Sequence, residues 1–351
     1  MFIHARPGSA LLLAALLCCA AVSAQQNTPP NQTANRTSYL DVVVTPKSVP
    51  PVVLQQQDFT LVDNKSPRSI TSFHVVNGRE APIEVIVVID AVNAAFRNVA
   101  YEREQVDSFL RAEGGHLAYP VAIAFFTDKG TQLLGDFSSD GNALGTLLDG
   151  ENTPLRFITR GSGIYGAADR LQLSLQALDQ LLTGEAQRPG RKIMVWLSPG
   201  WPLLSGPHVE LDAKERQKIF GDIVKLSTEL LQARVTLYSV NPAVGASESL
   251  SRLAYYKEFL KGVSKPSQVN LGNLALQVLA VQSGGLALNS SNDLAAVVRQ
   301  CVDDATPYYE ISFDQPVAEK PDEYHQLEFK LDKPGLAART RQAYYAQPPP
   351  N

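Results

Sequence analysis

Cysteine is almost missing from this chain. Only three occur in 351 residues, and two of them, Cys18 and Cys19, fall inside an apolar run near the start. That run, Ala10 to Val22, follows a short basic region with His4 and Arg6 and ends in Val22-Ser23-Ala24. This is the pattern of a secretory signal peptide cut after Ala24, and it places the protein outside the cytoplasm, secreted or periplasmic. Export permits disulfides, but the one remaining thiol, Cys301, has no internal partner. It follows Leu294, Val297 and Val298 at helical spacing, which predicts a place in the core. Long hydrophobic stretches are missing as well. The leader is too short to span a bilayer comfortably, and nothing later is long enough, so no membrane span is expected after cleavage. An excess of basic residues is also missing. The net charge is −4, or −5 once Arg6 leaves with the leader (30 basic residues against 35 acidic). With no basic patch, nucleic acid is not an expected partner. Histidine is scarce: His74, His116, His208 and His325 follow the leader, and their spacing is not that of zinc ligands.

What is present divides into three blocks. Residues 25–37 are rich in Gln, Asn, Pro and Thr and read as a flexible linker. Residues 38–80 carry strand patterns: Leu40–Val44, Asp58–Val62 before the turn formers Asp63-Asn64, and the alternating Ser69–Val75. Residues 81–306 change character. Four runs, Val85–Ile89, Val121–Phe126, Ile193–Leu197 and Val235–Val240, look like strands buried on both faces. Amphipathic helical patterns lie between and after them, among them Val99, Arg103, Val106 and Leu110 on one face and Ile164, Ala168, Leu171, Leu175, Leu178 and Leu182 on another. The segment 132–137 offers a short edge strand. Strands alternating with helices imply a parallel sheet covered on both sides. Residues 307–346 return to strand patterns, ending in one strand from Leu336 towards Tyr345. Neither end has enough strands to bury a core alone, so the two are expected to join in one β-sandwich-like domain around the inserted α/β block. A hairpin lying on the α/β block is the alternative.

The run Val85-Ile86-Val87-Val88-Ile89 stops at Asp90, followed by Ala91-Val92-Asn93-Ala94. Together with "LDVVVTPK", "DFTLVDNKSPRSITSF", "RKIMVWLSPGWPLL", "ARVTLYSVNP", "LALQVLAVQSGG" and the closing "YYEISF" and "YHQLEFKLDKPGLAARTRQAYY", it resembles the bacterial exported proteins with a von Willebrand factor A-related domain, common among acidobacteria. The resemblance covers nearly the whole chain after the leader. It implies a Rossmann-like domain flanked by β-strands, and a binding or adhesion role rather than catalysis. It also implies a metal site built from an aspartate, two serines, a threonine from a second loop and an aspartate from a third. Asp90 matches the first aspartate, Val92 and Ala94 stand where the serines would be, Ser162 falls at the threonine, and Pro199 falls at the last aspartate. One carboxylate and one hydroxyl make a poor cage for a hard cation, which takes about six oxygen ligands. The expectation is a degenerate site, with Asp90 and Ser162 as remnants and no bound metal or other cofactor.

Other motifs weigh less. Gly161-Ser162-Gly163-Ile164-Tyr165-Gly166 matches G-x-G-x-x-G and precedes a helix, but no strongly apolar strand feeds it and no carboxylate has the right context further on. It reads as a tight turn. A hydrolase would use Ser162 or Ser198 as nucleophile, yet neither stands in G-x-S-x-G, and only His208 is placed to serve as base. The loop Ser198-Pro199-Gly200-Trp201-Pro202 carries a tryptophan between prolines, either as an anchor for a partner or as a plug over the sheet end. The sequence therefore describes a non-enzymatic protein–protein interaction or adhesion module at or outside the cell envelope. Its candidate partner-binding face is the carboxyl end of the sheet, near Asp90, Asn93, Ser162, Ser198 and Trp201. A structural spacer in an envelope assembly is the alternative.

Overall fold

A computed structural model describes residues 37–46, 53–77, 82–151, 164–202, 210–242, 255–289 and 293–349. The leader and nearly all of the linker lie outside the described residues, as do Ser162 and His208.

The chain opens with β1 (Thr37–Pro46), β2 (Phe59–Asp63), β3 (Ser66–Arg68) and β4 (Ile70–Val76). It then builds a larger unit: β5 (Ile83–Asp90), α1 (Phe96–Arg111), β6 (His116–Thr127), β7 (Gly130–Asp140), α2 (Gly141–Gly150), α3 (Ile164–Glu185), β8 (Arg191–Leu197), α4 (Ala213–Gln232), β9 (Val235–Asn241), α5 (Leu276–Gln282), β10 (Ala287–Asn289) and α6 (Leu294–Asp303). It closes with β11 (Tyr308–Asp314), β12 (Glu323–Leu331), β13 (Leu336–Arg339) and β14 (Ala343–Ala346).

The central sheet has the order β10-β9-β8-β5-β6-β7. All pairs are parallel except the last, where β7 returns antiparallel along β6. This is a doubly wound, Rossmann-like α/β sheet, and both faces are covered. Successive residues of β5 alternate between two cores. Ile83, Val85, Val87 and Ile89 meet α1, α2 and α6, while Ile86 and Val88 meet α3, α4 and α5. A strand wet on neither face needs apolar side chains at every position, which is why the four central runs are legible as continuous apolar blocks. Cys301 lies in the first core at 1% exposure, where burial raises its thiol far above the ordinary range. The helices carry their own start signals. Asp212 and Glu215 cap α4 reciprocally, Asp140 caps α2 and Asp293 caps α6. Among the described residues, no helix is long and apolar enough to cross a membrane.

Strands from both ends of the chain interleave in two further sheets, β13-β1-β11-β4 and β14-β12-β2-β3. Leu40, Val42, Phe59, Leu61, Ile311, Phe313 and Tyr344 share the core between them, so the two sheets make a sandwich. At its centre Asp63 accepts bonds from His325 Nδ1 (2.8 Å) and Tyr344 Oη (2.8 Å) and lies 3.4 Å from Arg68 Nε. Burial alone would raise the Asp63 carboxyl, but these partners hold it below its ordinary value. The expected last strand is in fact two. β13 belongs to the first sheet and β14 to the second, with a corner at Thr340–Gln342 where Arg341 is buried.

The sandwich meets the central sheet at the amino ends of its strands. Arg234, just before β9, pairs with Asp41 of β1 (2.5 Å) and Glu310 of β11 (2.6 Å). Arg191, the first residue of β8, donates to Ala305 O at 2.8 Å and lies 4.7 Å over the Tyr308 ring. The carboxyl ends are left facing the other way. Because β11 and β12 are inner strands of their sheets, a chain ending near Thr306 should expose both apolar faces and aggregate on expression. A soluble product with an unchanged melting temperature would show that the opening strands do not depend on the closing ones.

Candidate functional site

Asp90 is the last residue of β5, and Ser198 directly follows β8. β5 and β8 are neighbours at the point where the sheet order reverses. Open α/β sheets bind ligands outside the carboxyl ends of their strands at such a switch point.

The Asp90 side chain is fully buried. Its Oδ1 accepts the backbone N–H groups of Val92 (3.0 Å) and Asn93 (2.9 Å), an Asx turn that folds the chain back on the strand end. Its Oδ2 accepts from Asn93 Nδ2 (2.9 Å), Trp196 Nε1 (3.1 Å) and Ser198 Oγ (2.8 Å). Burial pushes the carboxyl above its ordinary value, and the bonds from Asn93, Ser198 and Trp196 offset only part of that rise. Asn93 Nδ2 also reaches Ser174 Oγ on α3 at 3.0 Å. Ser198 Oγ accepts from Gly200 N at 3.1 Å. Gly200 has φ +101°, and a Cβ there would lie 2.4 Å from Gln277 Nε2, so the turn after β8 requires glycine.

The structure brings Asp90, Asn93 and Ser198 into one hydrogen-bonded cluster, with Trp201 beside it. Their depth differs from a contact surface. Asp90 and Ser198 are 0% exposed and Trp201 is 2%, so these three lie beneath the face; Asn93 is half-buried. Trp201 packs edge-on against Trp196 (5.4 Å, 79°) and plugs the sheet end. Three members escaped the sequence reading. Trp196 sits inside a buried strand, where its indole N–H needs an acceptor. Ser174 interrupts the apolar face of α3. Glu102 lies three residues from Val99 and four from Val106, on the buried stripe itself. The stripe on α1 is thus Val99, Glu102, Val106, Phe109 and Leu110. Arg103, expected on it, instead donates to Leu148 O and Glu151 O, each at 2.8 Å.

The donor set does not suit a divalent cation. The two Asp90 oxygens already receive five protein donors, about as many as a carboxylate accepts. Val92 sets a buried isopropyl group beside the carboxylate. Among the described residues no three of His, Cys, Asp and Glu gather to hold a metal. The described histidines lie elsewhere: His116 at the amino end of β6, His74 on β4 and His325 beside Asp63. Two cavities lie away from this cluster, one of about 400 Å³ by Phe59 and Arg68 and one of about 170 Å³ between α3 and α4.

No protein-family profile matches the chain, and no curated protein is similar to it. Several solved structures are similar at low identity. The manganese-loaded TRAP protein of Plasmodium vivax is 11% identical over 78% of this chain and 98% of that one, with a TM-score of 0.35. The SpRpn10 VWA domain is 14% identical over 63% and 95%, with a TM-score of 0.29. The TFIIH p34 N-terminal domain is 10% identical over 63% and 96%, also at 0.29. The assignment of the sheet as doubly wound rests on its strand order.

Glu102 gives the site a measurable signature. Its side chain is fully buried, and among the described residues neither oxygen has a hydrogen-bond partner. Burial, with the nearby charge of Asp90, raises its carboxyl well above the ordinary 4.5. The folded state therefore holds this proton more tightly than the unfolded chain. Its contribution to stability is present below pH 4.5 and is lost as pH rises through the elevated folded value. Glu102→Met should stabilise the protein at neutral pH by about 1–3 kcal/mol, the cost of an unpaired buried polar group. It should also flatten the decline of stability with rising pH. Denaturant unfolding of both proteins across pH 4–8 checks this; parallel pH profiles would mean that Glu102 is solvated or paired. Asp90→Ala, which orphans the Trp196 and Asn93 donors, should cost roughly 3 kcal/mol in the same assay.

Proposed function

We propose that this chain is an exported, non-enzymatic protein-binding module that engages its partner, at or outside the cell envelope, without a bridging cation. The observation that carries the reading is the saturation of Asp90. In a metal-bridged module this carboxylate must offer an open coordination position. Here its oxygens are committed to Val92, Asn93, Trp196 and Ser198. The cluster fixes the loop that enters α1 against the end of β8, so it shapes a surface instead of holding an ion. Above it Ala95, Phe96 and Arg97 are exposed, with the Phe96 ring 51% accessible at the carboxyl end of the sheet. An aromatic beside a cation on a rigid turn is a common interface anchor. The burial of Ser198, whose hydroxyl donates to a carboxylate rather than to an imidazole, speaks against a hydrolase. The leader sequence supports export.

Calorimetry with magnesium, manganese or calcium should show no binding tighter than millimolar. Partner captured from envelope extract by the mature chain should stay bound in chelator. Phe96→Asp should reduce that capture at least tenfold, about 1.4 kcal/mol, with an unchanged melting temperature. A micromolar metal titration, or a complex that chelator dissociates and magnesium restores, would overturn the cation-free reading. Full capture by Phe96→Asp would remove the α1 entry from the interface.

A further inference from the structure

We infer that a single chloride ion binds where the α/β unit meets the sandwich, in the small cavity bounded by Arg234, Thr340 and Arg341. The cavity lies between the α4–β9 junction, β1 and the corner joining β13 to β14, and is also lined by Asp41, Leu230 and Thr236. Its volume is about 20 Å³. One water-sized particle needs roughly 10–15 Å³, so the space matches a monatomic ion better than phosphate or sulfate.

Two buried donors on the lining lack acceptors, and a buried cation stands beside them. Arg341 is 6% exposed, and among the described residues its side chain makes one hydrogen bond, from Nη1 to Ser227 O at 3.1 Å. It forms no ion pair among the described residues, and burial pulls its guanidinium down to about 10, against the attraction of Asp41. It therefore stays a buried cation at neutral pH. Arg234 Nε and Thr340 Oγ1 are buried without a hydrogen-bond partner among the described residues. Unmet buried donors are costly.

The local charges do not cancel. Arg191 and Arg234 face Asp41 and Glu310, and Arg339 faces Asp304. Arg341 is left over. Asp41 lines the same cavity, but Arg234 at 2.5 Å and Arg191 at 3.9 Å already neutralise it. A water molecule could accept from two of these donors, but it would bring two hydrogens of its own into a site short of acceptors. A halide accepts from all of them and supplies the missing negative charge.

The ion would join α4 and β9 to the corner of the last two strands, so its occupancy should appear in global stability. Thermal unfolding of the full protein in sodium chloride and in sodium gluconate, both at about 0.15 M so that screening is matched, should give a melting temperature about 2–4 °C higher in chloride. Bromide should act as chloride does, and crystals grown in bromide should show an anomalous peak between Arg341 and Thr340. Thr340→Val and Arg341→Met should each remove the chloride-specific shift; if Arg341→Met does not fold, Thr340→Val carries the comparison. Equal melting in the two salts, a bromide map without a peak in this cavity, or an undiminished chloride shift in Thr340→Val would each overturn the inference.

Discussion

A buried carboxylate must be compensated, and the compensation of Asp90 organises the carboxyl end of the sheet. Taking an ion of this kind out of water costs several kcal/mol unless fixed donors replace the solvent. Five donors do so here, drawn from the α1-entry loop, the interior of β8 and the turn that follows it. Asn93 extends the tie to Ser174, and Ser174 Oγ in turn donates to Arg170 O at 2.7 Å within α3. Elements on both faces of the sheet are thus bound to one side chain. The buried edge-to-face rings of Phe126, Trp196 and Trp201 shield the cluster from water, and a drier site strengthens each of these bonds.

The opposite end obeys the same constraint with the signs reversed. Arg191 and Arg234 stand where β8 and β9 begin, and carboxylates and carbonyls from β1, β11 and the segment after α6 receive them. These contacts join the sandwich to the α/β unit. They also explain how the chain can leave the sandwich at β4 and return to it at β11: both crossings lie at the amino edge of the parallel strands. A second seam runs along α4, where Tyr345 of β14 packs edge-on against Phe220 and donates to Val263 O at 2.9 Å.

The legibility of this arrangement in the sequence follows burial. β5, β6, β8 and β9 are buried on both faces, so their apolar runs are continuous and hard to miss. β10 is three half-buried residues, Ala287–Asn289, too short for any period. α2 contains three glycines, poor helix formers, and declares itself mainly through the Asp140 cap. Leu336–Tyr345 has no strong breaker and reads as one strand; its division depends on Arg341 turning inward, which a charged residue does not announce. Asp90 is legible as the carboxylate that stops an apolar run. That Trp196 donates from within a strand is not, since strand patterns tell which residues are buried but not which indole faces which carboxylate. Trp201, set between prolines, carries the same letters whether it points out or in.

The pairing of Trp196 with Trp201 has a spectroscopic consequence. These are the only two tryptophans in the chain, their rings are in contact, and one of them donates directly to Asp90. All indole emission from the protein therefore originates at the end of β5 and β8. Its colour and yield are set by a carboxylate a few ångströms away and by the dryness of a single cluster. The molecule carries a built-in optical reporter for its switch point, needing no label, which is silent about the sandwich and sensitive to any event that wets, protonates or displaces the turn after β8.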